Sequence, residues 1–299
     1  MDPGSREERA LRLSLRAGVV LAVMAVVWGL LARSQVILLD GVYLVLGMAT
    51  TGLALYAARV AGSGPSPRYP FGREAVVPLV TGVQGVALLG ALAYASVEAV
   101  RVILAGGAPA DPWVLGSYAV VSGGAAALLA HRMRRGPASD LLAAEAVQWR
   151  AGALFSALVL GGALVVAVLD ATGESVATRY VDSALVLVCS AILVRDPVRL
   201  VRASLDELLE AAPSSGVQAA VQVVIDRVTA AHGLGEPRVR LTKLGRKLYV
   251  EVDFVVADGT RDVADEDEVR RAVADGLDGH TPYEVWLNVA LTTDPELAR

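Results

Sequence analysis

An aspartate at position 40 interrupts the apolar run Val36-Ile37-Leu38-Leu39-Asp40-Gly41, and its chemistry constrains this chain more than any other residue does. A carboxylate inside a lipid-embedded helix costs about 2.5–3.5 kcal/mol on insertion scales, so it is kept where it meets a cation, a proton or a partner. A second acid, Glu145, sits at the edge of another apolar run, where water alone could satisfy it. Glu98 and Arg101, spaced i, i+3, suit an ion pair on one helix face. Asp182 at the start of the last apolar run suits a cap or an interface hydrogen bond. Cys189 is the single cysteine; it can form neither an internal disulfide nor a Cys-x-x-Cys metal pair, and it reads as a small buried hydrophobe. His131 belongs to a basic loop and His280 to a turn before Thr281-Pro282. No Ser/His/Asp constellation, phosphate loop or nucleotide fingerprint is present, so the chain is not expected to be an enzyme.

The elements that must position Asp40 are membrane helices. Six apolar stretches fill the first two hundred residues: Ala17–Leu31, Val36–Leu55, Val77–Leu104, Trp113–Ala130, Ala151–Leu169 and Val181–Val194, the last running back toward Val176. A bilayer core of about 30 Å needs roughly 20 such residues of helix. The chain is 55% hydrophobic with mean hydropathy +0.53, more apolar than a soluble domain of this size needs. Arginines cluster in the N-terminal tail (Arg6, Arg9, Arg12, Arg16), after the second stretch (Arg59, Arg68, Arg73), after the fourth (Arg132, Arg134, Arg135) and after the sixth (Arg195, Arg199, Arg202). The alternate connections are poor in positive charge. The positive-inside rule then gives six crossings of the cell inner (plasma) membrane with both termini cytoplasmic. The first stretch follows a charged tail and lacks a small-residue cleavage site, so it reads as a retained helix.

Residues 1–204 form the expected membrane domain and 205–299 a soluble one. Acidic residues outnumber basic ones in the latter, which argues against nucleic acid as a partner and is compatible with cations. An amphipathic segment ends at Pro213. Val217–His232 carries apolar residues at helical spacing and stops at Gly233. Residues 238–245 and 247–256 alternate with period two around a Leu-Gly-Arg-Lys turn. Residues 265–277 open on acids that favour a helix N-terminus, and 283–291 alternate again. The order αββαβ predicts a ferredoxin-like α+β domain with its helices on one face of a small sheet.

Six crossings and an αββαβ domain resemble the cation diffusion facilitator (cation efflux) family. The family's LLADA-type run is matched by Val36–Gly41, and its basic HPYG-like loop by Arg68-Tyr69-Pro70-Phe71-Gly72-Arg73-Glu74. Its fifth span opens on a run like Glu145-Ala146-Val147-Gln148-Trp149-Arg150, and its sixth like Tyr180-Val181-Asp182. The resemblance implies a homodimer in membrane lipid that exports a divalent cation against protons and has no resident cofactor. In the family, HxxxD or DxxxD pairs on spans two and five hold zinc tetrahedrally, because i and i+4 share one helix face. Carried over, those positions are Tyr43, Gly47, Gln148 and Gly152, a departure at all four.

Asp40, Tyr43 and Gly47 have the same offsets as Glu145, Gln148 and Gly152, so each triplet lies on one helix face. Asp40 and Glu145 should stand roughly 15 Å apart along antiparallel helices, too far to share an ion, as stations either side of a constriction of Tyr43 and Gln148. Gly47 and Gly152 are expected to let two helices touch rather than to ligate. Oxygen ligands favour a harder ion such as Mn²⁺, Mg²⁺ or Fe²⁺ over Zn²⁺. In the soluble domain the resemblance offers His232 and Asp253 as a weak metal pair, though His232 reads better as a surface residue before Gly233. The alternative reading is a transport-inactive membrane partner, sensor or scaffold, motivated by the missing zinc ligands.

Overall fold

In the computed structural model, residues 3–134 and 140–298 are described, some of them by backbone alone. Six long helices come first: α1 (Pro3–Ala32), α2 (Gln35–Ala61), α3 (Val76–Leu104), α4 (Pro112–Arg134), α5 (Asp140–Ala171) and α6 (Ser175–Leu193). Then follow α7 (Arg195–Leu208), α8 (Ser215–His232), β1 (Arg238–Leu244), β2 (Lys247–Val255), α9 (Val263–Leu277) and β3 (Glu284–Thr292). Over the described residues, four segments are long and apolar enough to cross a membrane: Arg12–Ala32, Val76–Leu104, Pro112–Arg134 and Gln148–Ala171. The apolar segment Gln35–Ala49 is shorter. The chain forms two compact units, residues 1–52 with 84–199, and residues 53–83 with 200–299.

The first unit is a helical bundle whose core joins Ala25, Val36, Ile37, Leu39, Leu92, Tyr118, Phe155, Val159, Val166, Val186 and Cys189. A second cluster gathers Leu21 of α1, Leu129 and Met133 of α4, and Ala146 and Trp149 of α5. Trp149 is pinned there, since its indole Nε1 donates to Ser14 Oγ of α1 at 2.7 Å. Val19, Val23, Val27, Val86, Tyr94, Val121, Leu154 and Val168 point outward, the pattern of a surface made for lipid.

Helices α4 and α5 run along a seam of small residues. A Cβ placed on Gly116 would stand 3.7 Å from the Ala163 Cβ, and one on Gly123 only 2.8 Å from the Ser156 Cβ. Gly152 faces Ala126 at 3.8 Å in the same way. The absence of side chains lets the two backbones approach, the usual route to tight packing where lipid removes the hydrophobic drive between helices.

Helix α2 is held at its start by Asp182 of α6. That carboxylate accepts Ser34 Oγ at 2.6 Å and the Gln35 backbone N–H at 2.7 Å, which satisfies donors the first helical turn leaves free. Of the two roles the sequence offers Asp182, the structure has it doing both at once, capping one helix from another. Glu98 and Arg101 pair at 3.7 Å on the exposed face of α3.

In the second unit, β1 and β2 pair antiparallel and β2 and β3 pair parallel, with β2 central. Leu248, Val250, Val252 and Phe254 of β2 form one core with Val221, Val224, Ile225 and Val228 of α8 and Val269, Val273 and Leu277 of α9. The alternation thus turns the even positions of β2 to the helices, as the period-two pattern requires. Asp262 caps α9 and exchanges bonds with Asp265 in a capping box. The β1–β2 turn is clasped by two acids. Glu207 of α7 accepts Lys243 Nζ and the Gly245 N–H, while Glu74, buried to 3% exposure, accepts the Arg246 N–H at 3.1 Å. Gly245 has φ +61°, and a Cβ there would lie 2.7 Å from Glu74 Oε2, so glycine is required both by conformation and by space.

Candidate ion-pathway site

Asp40 lies about one and a half turns into α2, below the cap that Asp182 provides. Its carboxylate accepts a hydrogen bond from Tyr118 Oη of α4. Tyr118 is wholly buried, with its ring edge-on to Trp28 of α1 at 6.0 Å between centroids. Ser122 stands one turn along α4 from Tyr118, and Ser156 Oγ of α5 donates to Ser122 Oγ at 3.4 Å. Cys189 of α6 belongs to the same buried core. The charged centre of the bundle is therefore built by α2 and α4 and backed by α5 and α6.

The structure brings only part of the expected set together. Tyr43 is half-buried and packs against the apolar core on the same helix as Asp40. Gln148 is exposed at the start of α5, because the buried face of that helix runs through Ala146, Trp149, Phe155, Ser156 and Val159. One residue along a helix is a rotation of about 100°, so anchoring Trp149 inward carries Gln148 off the interior, away from Tyr43. Glu145 belongs to α5, and its side chain lies outside the described residues. A Cβ at Gly47 would meet no atom within 4 Å, and Gly152 faces α4. The glycine contact that α5 makes at Gly152 is therefore with α4, not with α2.

His232 and Asp253 are also kept apart. Asp253 sits on the odd face of β2 and accepts Arg240 Nη2 at 2.6 Å, while α8, which ends at His232, covers the even face. The His232 backbone carbonyl accepts Arg261 Nη2 at 2.6 Å. Among the described residues, no three His, Cys, Asp or Glu side chains are grouped to hold a metal ion.

Tyr118, Ser122 and Ser156 are the residues that reading the sequence passed over. Their signal was present: Tyr118 and Ser122 are polar at i, i+4 in an apolar span, hence on one face.

A family model for the cation efflux transmembrane domain matches residues 11–209. The chain belongs to the cation efflux family. A search of curated proteins found no match. Membership makes this a multi-pass membrane protein whose family moves cations, with lipid and a cation as its partners. Asp40 and its Tyr118 contact fall inside the matched region, which also contains all six long helices from residue 11 onward.

Proposed function

We propose that this cation efflux protein exports a divalent cation in exchange for protons, with Asp40 as the charged group that the cation meets on the outward side of the pathway. The observation that carries the reading is a carboxylate held by one tyrosine within a largely apolar helical core. Such a group is retained against its insertion cost where charge must pass. The oxygen chemistry around it favours Mn²⁺, Mg²⁺ or Fe²⁺ over Zn²⁺. In this reading α1–α6 make six crossings with both termini cytoplasmic in the plasma (inner) membrane, and Tyr43 lines the route beside Asp40. Glu145 stands at its inward mouth. Residues 205–299 form a ferredoxin-like cytosolic domain, and the working unit is a homodimer.

Substrate flux in proteoliposomes, run with Mn²⁺, Mg²⁺, Fe²⁺ and Zn²⁺ in turn, tests the proposal. Asp40→Asn preserves shape but removes the charge and should abolish flux of whichever ion the native protein moves. Undiminished flux in that variant removes Asp40 from the mechanism. The second reading, a transport-inactive membrane partner, is favoured by Tyr43, Gly47, Gln148 and Gly152 at the positions where the family's zinc ligands fall. It predicts no flux for any of the four ions.

A further inference from the structure

Strand β3 lies at the edge of its sheet, and its outer rim is closed along only part of its length. Successive residues of a strand point their backbone N–H and C=O groups to opposite sides. The Glu284 N–H donates inward to the Arg246 carbonyl at 3.1 Å, and the Thr292 carbonyl accepts inward from the Val256 N–H at 2.9 Å. The even residues of β3 therefore bond toward β2, and the odd ones present their backbone groups outward. Some of those outward groups are taken. The Val289 carbonyl accepts Arg270 Nη2 of α9 at 2.9 Å, and the Leu291 N–H donates to Glu266 Oε2 of α9 at 3.3 Å. The Tyr283 carbonyl, just before the strand, accepts Thr281 Oγ1 at 3.3 Å. Between these closures, the N–H and C=O groups of Val285 and Leu287 have no partner among the described residues.

The open stretch borders a groove of about 420 Å³ between β3 and the C-terminal end of α9. Leu277, Val285 and Leu287 give the groove an apolar floor continuous with the core of the domain. Asp275 and Asp278 line it from α9, both exposed and neither paired with a basic side chain among the described residues. Glu284 adds a third carboxylate, which Lys247 meets at 3.7 Å. We propose that this edge takes up an extended, basic segment of a partner protein as a fourth strand, hydrogen-bonded to Val285 and Leu287. Backbone groups on the rim supply pairing, as in other cases where a peptide extends a sheet. The floor takes one apolar side chain, and the residues two places to either side of it fall on the same face of the added strand. Lysine or arginine there meets Asp275 and Asp278, whereas an acidic segment is repelled. Arg270 and Glu266 end the pairing at Val289, so the bound segment has one short register. The proposal stands apart from the ion pathway and does not depend on what the membrane domain moves.

The probe is a fluorescein-labelled peptide, Thr-Lys-Thr-Val-Thr-Lys-Thr, which places Lys, Val and Lys on one face of a strand. Its anisotropy is followed on titration with full-length protein in detergent. Binding should saturate, and a peptide with Glu in place of both Lys should bind about ten-fold more weakly. The double variant Asp275→Lys, Asp278→Lys, at exposed helix positions, should reverse that preference. N-methylation of one set of alternate peptide amides should abolish binding, and N-methylation of the other set should leave it within about three-fold. Hydrogen exchange supplies a second readout: bound peptide should slow the Val285 and Leu287 amides about ten-fold and leave Leu291, already bonded to Glu266, unchanged. Absence of saturable binding overturns the proposal, as does an equal effect of methylating the two sets of amides. Protection of the Val285 and Leu287 amides without peptide shows that a second copy of the chain already holds the edge, and that result overturns it too.

Discussion

Replacing Asp182 should unfasten the start of α2, and the size of the effect follows from two short bonds. The carboxylate accepts Ser34 Oγ at 2.6 Å and Gln35 N–H at 2.7 Å, at 7% exposure. Bonds to a charged acceptor are worth about 1.5–3 kcal/mol each, and a buried donor left unsatisfied adds to the loss. Asp182→Ala strands both donors and should cost about 3–5 kcal/mol. Asp182→Asn retains one neutral acceptor and should cost roughly half that. For about two hundred residues, 1 kcal/mol shifts Tm by about 2–4 °C, so the alanine variant should melt roughly 6–20 °C lower. Cys189, the only cysteine and 1% exposed, supplies the assay, because a thiol-reactive fluorophore reports its exposure on heating in detergent. A midpoint for Asp182→Ala within 2 °C of the native protein would refute the capping argument.

Two further outcomes are expected. Gly123→Val forces side-chain bulk to within 2.8 Å of the Ser156 Cβ and should destabilise the bundle by about 1–3 kcal/mol, read by the same Cys189 assay. Glu74→Ala leaves the Arg246 N–H without its acceptor and should speed hydrogen exchange across the Leu244–Lys247 turn, while amides in the β2–β3 ladder keep their protection.

The soluble elements were legible because alternation and punctuation agree: Lys247–Val255 alternates strictly, Gly245 marks the turn, and Gly233 ends α8. Helix positions in the bundle were legible for the same reason, as runs of apolar residues between arginine-rich connections. The interior of the bundle was not. Periodicity says which residues share a face, but it does not fix the rotation of that face against a neighbour. The Trp149 to Ser14 bond sets that rotation for α5 and puts Gln148 outside. Likewise the partner of Asp40 lies 78 positions away on another helix, a distance over which one sequence carries no pairing information. Asp253 was offered as a ligand only by the family resemblance; the cross-strand Arg240 that claims it is visible only once the β1–β2 register is known.

The glycine and alanine facings between α4 and α5 have a mechanical consequence. Gly116 with Ala163, Gly123 with Ser156, and Ala126 with Gly152 are three rungs on one antiparallel ladder, too snug to admit a lever between them. The two helices therefore tilt together as a single plank. Tyr118 rides on that plank and Asp40 does not, so any rocking that opens a passage past α2 must first unhook one phenol from one carboxylate.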